Sequence, residues 1–418
     1  MTDSPSKPRL LFAAHTLPFP ENSGSHIRIA NLLRAACMVA EVQFVGYVEA
    51  GSPDDPANAE GIRQLKALCP SAIVLPRDPL WWPLVRNNSL LAALRHYVMQ
   101  PGAFVFREFR CGALISEVRR LAPKADLIWI ERLWVAHHLR DLAYKAVVDM
   151  DDLESVKIQR RLAEKRGPQA WAAWLDWWKT RRTESSAARD FSRIAVCSEH
   201  DVKFWPKDQD RVWVVPNGFD DHLLTHPLPD GTPKRAIFVG LLDYWPNVGA
   251  IQFFAQYVMP LLLQRYPDFE FWIVGRSPHP AVLALDNGRS IRVFPNVPSV
   301  VEYVRQAAVS VVPLRVGGGT RLKILESIGA GVPVVSTDVG IEGINLTPEI
   351  HYLRANSAEE FAEAVIRLME QPEFGRQQVE RARSAIRDKY AWSSIRASVA
   401  DLLRPLLAQQ RKQGHDFP

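Results

Sequence analysis

The chain's 418 residues are 47% hydrophobic and 23% charged, which excludes a disordered or fibrous protein and exceeds the length one core supports, so two domains are expected. The net charge of +5 is spread along the chain, which suits phosphorylated small molecules or an anionic membrane surface better than a nucleic-acid groove. Cys37, Cys69, Cys111 and Cys197 lack metal or disulfide spacing, and there is neither a signal-like start nor an apolar run of about 18 residues, so free buried thiols in a cytoplasmic protein are expected.

Strands and helices alternate through the first half. Apolar runs predict buried strands at 10–14, 42–48, 72–75, 127–131, 146–149, 194–198 and 212–215. Between the first two, Ile27, Ile29, Leu32, Leu33 and Ala36 recur at helical spacing, which predicts a helix over 26–38. A helix over 90–98, beside Trp81 and Trp82, adds apolar surface. The stretch PNGFDDHLLTHPLPDGTP is rich in Pro and Asp and reads as a linker within 216–234. The alternation restarts at 235–240, continues through 271–275, 293–303, 309–314 and 332–337, and ends in helices over 374–390 and 393–410. Each half is therefore expected to be an α/β, doubly wound, Rossmann-like domain, its parallel sheet covered on both faces. The first spans 1–215 and the second 235–390. Ligands of such sheets bind beyond the C-terminal ends of the strands.

The most informative segment is 309–337, VSVVPLRVGGGTRLKILESIGAGVPVVST. It reads as strand, glycine-rich loop, helix, strand. Gly317, Gly318 and Gly319 let backbone approach a ligand closely, and Thr320 is expected to cap the helix. A helix opening on such a loop presents free N–H groups and the positive end of its dipole, which is an anion site. Arg321 and Lys323 add two full charges, and Lys323 and Glu326, three apart, share a helix face. A phosphate near Lys323 and a hydroxyl-rich group near Glu326 describe the diphosphate and ribose of a nucleotide. On spacing alone, the alternative is an ordinary surface pair.

Other candidates cluster at strand ends. Asp149, Asp151 and Asp152 lie at and just after the end of the strand AVVDM, either to accept a proton or to cap the next helix, with capping favoured for Asp152. Gly24 lies in the first strand-to-helix loop, His15 at the first strand's tip and His26 at the start of the next helix. Glu131 and Arg132 end another strand, placed for acceptor contact or for ion pairing. Asp243, Tyr244 and Asn247 follow Gly240, and Arg276 follows the strand FWIVG. Trp171, Trp174, Trp177 and Trp178 precede Lys179, Arg181 and Arg182: the composition of a membrane-interfacial helix, or else a stripe facing the core.

These motifs together resemble family 4 (group 1) retaining glycosyltransferases of GT-B fold. The segment VPNGFD at 215–220 resembles that family's domain junction. IFVG at 237–240, FWIVG at 271–275, the stretch 293–313 and the glycine-rich segment follow in the family's order. The pattern PLR.GGGTR.KILE is closest to bacterial exopolysaccharide or exosortase-associated sugar transferases. The resemblance implies two domains facing across a cleft, closing about the linker, with a C-terminal helix over 391–418 packing on the first. It implies Asp149, Arg321 and Lys323 as catalytic residues. Donor contacts fall to Gly24, Gly240, Arg276, Gly317, Gly318, Gly319, Thr320 and Glu326, and acceptor-side contacts to His15, Glu131 and Asp151. Gly318 stands where many members carry a glutamate. The implied reaction moves a sugar, with retention, from a nucleoside-diphosphate sugar to a glycan or lipid-linked acceptor in cell-surface polysaccharide or glycoconjugate synthesis. It needs no metal, no other cofactor and no nucleic acid, and takes place in the cytoplasm or at the inner membrane face, touched through the four tryptophans. The competing readings are a non-catalytic sugar-nucleotide-binding or assembly protein and a sugar-nucleotide epimerase.

Overall fold

A computed structural model describes residues 7–48, 51–77, 103, 106, 111–162, 166–229, 233–316 and 321–415. The chain forms two compact units, one of Met1–Pro216 with Ile395–Pro418 and one of Asn217–Ser394. The expected helix over 90–98, with Trp81 and Trp82, lies outside the described residues.

Among the described residues the first unit holds seven strands: β1 (Arg9–Ala14), β2 (Glu41–Tyr47), β3 (Ile73–Leu75), β4 (Leu127–Glu131), β5 (Ala146–Met150), β6 (Arg193–Val196) and β7 (Val212–Val214). They lie in the order β3-β2-β1-β4-β5-β6-β7, every neighbouring pair parallel. The central strands β4 and β5 are buried along their whole length, which is why they read as unbroken apolar runs, while the edge strand β3 is half-buried throughout. Alternate residues feed opposite faces. Leu11, Ala13, Ile128 and Ile130 join one core, while Phe12 stacks between Phe44 and Trp129 on the other side at centroid distances of 6.0 and 6.1 Å. Residues of the last helix, Trp392–His415, bond within this unit: Arg396 Nη1 donates to Asn31 Oδ1 (2.7 Å) and Gln410 Nε2 to Tyr144 O (3.1 Å).

The second unit holds β8 (Arg235–Leu241), β9 (Glu270–Arg276), β10 (Ile291–Pro295), β11 (Val309–Val312), β12 (Val334–Ser336) and β13 (Leu353–Arg354) in the order β10-β9-β8-β11-β12-β13, again all parallel. Ala236, Phe238, Phe271 and Ile273 enter the larger core; Ile237, Val239, Trp272 and Val274 enter the smaller one on the opposite face. Where the chain enters and leaves this unit, Phe219 and Ala391 form a parallel bridge, and Ser393 bonds Asp221. In both sheets the strand order reverses beside the first strand, between β1 and β4 and between β8 and β11. This leaves a crevice at the C-terminal strand ends.

Several boundaries differ from expectation for local reasons. The strand expected over 194–198 stops at Val196, because Ser198 caps the helix Glu199–Val202 by accepting from Asp201 N. The strand expected over 332–337 shrinks to Val334–Ser336, because Thr337 Oγ1 caps Asp338–Ile341 by accepting from Gly340 N (2.8 Å). The helix Ala358–Glu370 was not anticipated, although Ser357 and Glu360 form a capping box legible as S-x-x-E. The helical stretch from Trp245 to Arg265, with a π-helical turn at Phe254–Val258, was missed as well.

Candidate functional site

The second unit's crevice is shaped by two glycines. Gly240 of β8 pairs with Gly275 of β9, and a Cβ on Gly275 would lie 1.8 Å from Gly240 O, so only glycine fits there. A Cβ on Gly240 would lie 2.9 Å from both Lys323 Nζ and Asn247 Nδ2. The missing side chain at Gly240 is therefore the space that Lys323 occupies.

Lys323 comes from the helix Leu322–Gly329, which follows β11 across the crevice. Its ammonium donates to Asn247 Oδ1 (3.1 Å) and sits 3.9 Å from the centroid of the Phe238 ring. Asn247 is fixed in turn, its Nδ2 donating to Leu241 O (2.7 Å). The helix itself is pinned by Ser327, whose Oγ lies 2.7 Å from Lys323 O and 2.8 Å from Ser310 Oγ of β11. Burial, then repulsion from Arg321, pushes the Lys323 amine well below the usual lysine range, with Glu326 opposing. Glu326 is raised by burial, against the pull of Lys323. A half-buried Lys323 side chain, with the buried Arg321 beside it and a neutral amide as its hydrogen-bond partner, has room for an anion to complete its charge balance.

Arg276 is exposed at the tip of β9, and Tyr244 is exposed at the start of the helix that carries Asn247. The expected N-cap at Thr320 is corrected: the helix starts at Leu322, and the non-helical residue before it is Arg321 (φ −84, ψ 84). Thr320 and Gly317, Gly318 and Gly319 lie outside the described residues. Sequence reasoning put Asn247 near the nucleotide but missed that it and Phe238 hold Lys323. The signal was an aromatic one turn of strand before the glycine and an amide seven residues after it.

The first unit's crevice carries a belt of charge. His15, just past β1, sets Nδ1 against Glu131 Oε2 at the end of β4 and its ring edge on Trp134 (5.2 Å between centroids). Burial works to raise Glu131, but His15 and Arg132 hold it below the usual carboxylate range. Arg132 sits in the left-handed region at φ 78, unusual for a residue with a side chain. Its guanidinium bonds Glu131 Oε1 (2.8 Å), Asp151 and Ser25 Oγ (3.1 Å). Asp151 is pushed up to about 7 by burial, with Arg132 pulling the other way.

Asp149 is sealed beneath this belt at 1% exposure. Both its oxygens accept from Arg28, at 2.8 and 2.6 Å, and Arg28 Nη1 reaches on to Val215 O (2.9 Å). Burial and the guanidinium on both oxygens close the carboxylate off from a substrate hydroxyl. Asp149 thus ties the helix Gly24–Val39 to β5 and the end of β7. Asp152 pairs with Lys157 (3.0 Å). Gly24 is exposed as the first residue of its helix, which Ser23 caps. His26 is buried, with Nδ1 2.6 Å from Asn22 Oδ1, and braces the preceding loop. Of the tryptophan stripe, Trp171, Trp174 and Trp178 are exposed and Trp177 is half-buried.

Residues 233–371 match the family model described as Glycosyl transferases group 1. No curated protein matches the chain by sequence. Among solved structures, sucrose-phosphate synthase of Thermosynechococcus elongatus is similar at 16% identity and a TM-score of 0.67, over 96% of this chain and 100% of that one. Anabaena HepE in complex with UDP-glucose is similar at 13% identity and a TM-score of 0.62, over 95% and 99%. The E. coli trehalose-6-phosphate structure bound with UDP-2-fluoro glucose is similar at 14% identity and a TM-score of 0.61, over 96% and 99%. These likenesses establish the fold, the GT-B arrangement of two parallel-sheet α/β domains.

Proposed function

We propose that this protein, whose residues 233–371 match the group 1 glycosyl transferase model on a GT-B fold, transfers a sugar from a nucleoside-diphosphate sugar, without a metal ion and with retention of configuration. The observation that carries the reading is Lys323, lodged in the space left by Gly240 at the second unit's strand-order reversal. Breaking the sugar–diphosphate bond leaves negative charge on the departing diphosphate. Arg321, Lys323 and the start of their helix supply fixed positive charge there, and one preorganised donor of this kind contributes about 3–4 kcal/mol to the transition state. Burial and Arg321 disfavour the Lys323 cation until an anion stands beside it, so a bound phosphate restores the charge where it is needed. Glu326, one turn along, holds the ribose hydroxyls. The loop Gly317, Gly318, Gly319 and Thr320 and the exposed Arg276 complete the donor contacts. The Anabaena HepE and E. coli structures carry uridine-diphosphate ligands in their names, which makes uridine-diphosphate sugars the first donors to try.

On the acceptor side the proton of an attacking hydroxyl passes to His15, backed by Glu131 and Arg132, with Asp149 as the buried anchor below. The acceptor is a glycan or lipid-linked glycan of cell-surface polysaccharide or glycoconjugate synthesis. The test is release of nucleoside diphosphate from a panel of UDP-, GDP- and ADP-sugars by the full chain. One donor should be hydrolysed slowly without acceptor, at a rate unmoved by EDTA and lowered about 10²–10³-fold in Lys323→Ala. Tight binding with no turnover of any donor would leave a sugar-nucleotide-binding protein instead, and loss of turnover in EDTA would remove the metal-free mechanism.

A further inference from the structure

The helix Pro168–Asp190 carries a face that sugar transfer does not use. Trp171, Trp174 and Trp178 fall at helical spacing on one side, with exposures of 49%, 48% and 44%. Arg182, Ser186 and Arg189 continue the same stripe, so a face about 27 Å long runs from indoles to guanidinium groups. Among the described residues of this helix, Asp176, Thr180, Glu184, Ala187 and Ala188 are buried, so its docking on the unit leaves the indoles outside.

At the basic end lies a surface cavity of about 570 Å³, lined among others by Arg140, Trp178, Lys179, Arg182, Arg189 and Asp190. Asp190 is the one carboxylate of the lining, and it pairs with Arg140 (3.0 Å), so the cavity keeps a surplus of positive charge. The Arg182 guanidinium lies 5.7 Å from the Trp178 ring centroid, which joins the cationic and aromatic parts into one surface. A soluble anion would satisfy the cations and leave three indoles in water. A neutral apolar partner would cover the indoles and take the exposed Arg182 and Arg189 guanidinium groups out of water with no counter-charge of its own. An anionic bilayer satisfies both, because indoles settle at the headgroup layer and basic side chains meet lipid phosphate.

The geometry points to a face for an anionic phospholipid membrane, the lipid phosphate seated among Arg140, Lys179, Arg182 and Arg189 and the three indoles in the headgroup layer. This deepens the expectation of membrane contact through the tryptophans. It rests on no donor-side residue, so vesicle binding and sugar transfer stand or fall separately.

The test is flotation of the full chain with vesicles of phosphatidylcholine alone or with about 30% phosphatidylglycerol, alongside tryptophan emission. The chain should float with the anionic vesicles at least tenfold better than with neutral ones, its emission shifting to the blue. Each cation near an anionic surface adds roughly fivefold in affinity, so Arg182→Glu with Arg189→Glu should lose well over tenfold. Trp171→Ala with Trp174→Ala and Trp178→Ala should lose at least tenfold and the blue shift. All these positions are exposed, so both variants should keep the wild-type circular dichroism and melting temperature. Equal binding to neutral vesicles, or wild-type binding by either variant, overturns the proposal. So does calorimetric saturation of the cavity by inorganic phosphate in a chain that ignores vesicles, which would assign it to a soluble anion.

Discussion

Gly240→Ala isolates the geometry of the donor site with one methyl group. The added Cβ would stand 2.9 Å from Lys323 Nζ and from Asn247 Nδ2, where ordinary contact begins at 3.4 Å. Each must retreat by about 0.5 Å, and both are the ends of side chains, so the backbone can stay in place. What goes is the alignment of Lys323 with Asn247 Oδ1 and the Phe238 ring. The stability cost should stay at about 0.5–1.5 kcal/mol, the net scale of one hydrogen bond. Catalysis is more sensitive, since a displacement approaching 1 Å costs on the order of 10²-fold. The expected result is a chain that melts within a few degrees of wild type but releases nucleoside diphosphate about 10–100-fold more slowly. Gly275→Ala is the contrast. Its Cβ would meet Gly240 O at 1.8 Å, a backbone atom that cannot step aside, so that variant should fail to fold or melt far lower. Assays are thermal melts and diphosphate release on both variants. Wild-type turnover in Gly240→Ala, or equal collapse of both, would refute the reasoning.

Other consequences follow from the buried charges. Because the empty site holds the Lys323 amine well below its usual range, diphosphate binding should take up a proton and weaken as pH rises through the free-site value; calorimetry in two buffers of different ionisation enthalpy would read this, and proton release on binding would contradict it. Glu184, at 1% exposure, is raised from 4.5 to about 7, so the folded chain binds the extra proton and stability should fall as pH climbs from about 4.5 to 7, by roughly 3 kcal/mol in all. Glu184→Gln should remove that slope, matching wild type at pH 4 and exceeding it at pH 8 in denaturant titrations. Removing one partner of the Arg28–Asp149 pair leaves a buried charge alone, so Arg28→Ala should cost about 3–5 kcal/mol; an unchanged melting temperature would mean the pair is not the brace described above.

How much of this was legible depended on whether a feature was local. The central strands declared themselves as apolar runs because both faces of each sheet are covered, and the order of the glycine-rich segment put Lys323 on its helix face beyond a strand end. The partners of those residues were not local. Arg28 and Asp149 are 121 positions apart, and nothing in AVVDM says whether its aspartate faces water or a guanidinium from another element. Lys323 and Asn247 are 76 positions apart, so the notch could be seen only once Gly240 stood between them. The capping box at Ser357 and Glu360, by contrast, is local, and S-x-x-E alone marks the start of the helix Ala358–Glu370. The tryptophan stripe shows a different limit: indole spacing fixes a helix face but not what covers it, and three of the four rings turned out exposed.

The central claim is that Lys323 replaces a metal at the diphosphate, and the most direct measurement is the melting temperature of wild type and Lys323→Ala with UDP, GDP and ADP in EDTA. One nucleoside diphosphate should stabilise wild type by about 2.7 kcal/mol at a hundredfold excess over its Kd, and the variant should show no shift. An equal shift in the variant, or a shift that appears only when magnesium is added, would contradict it.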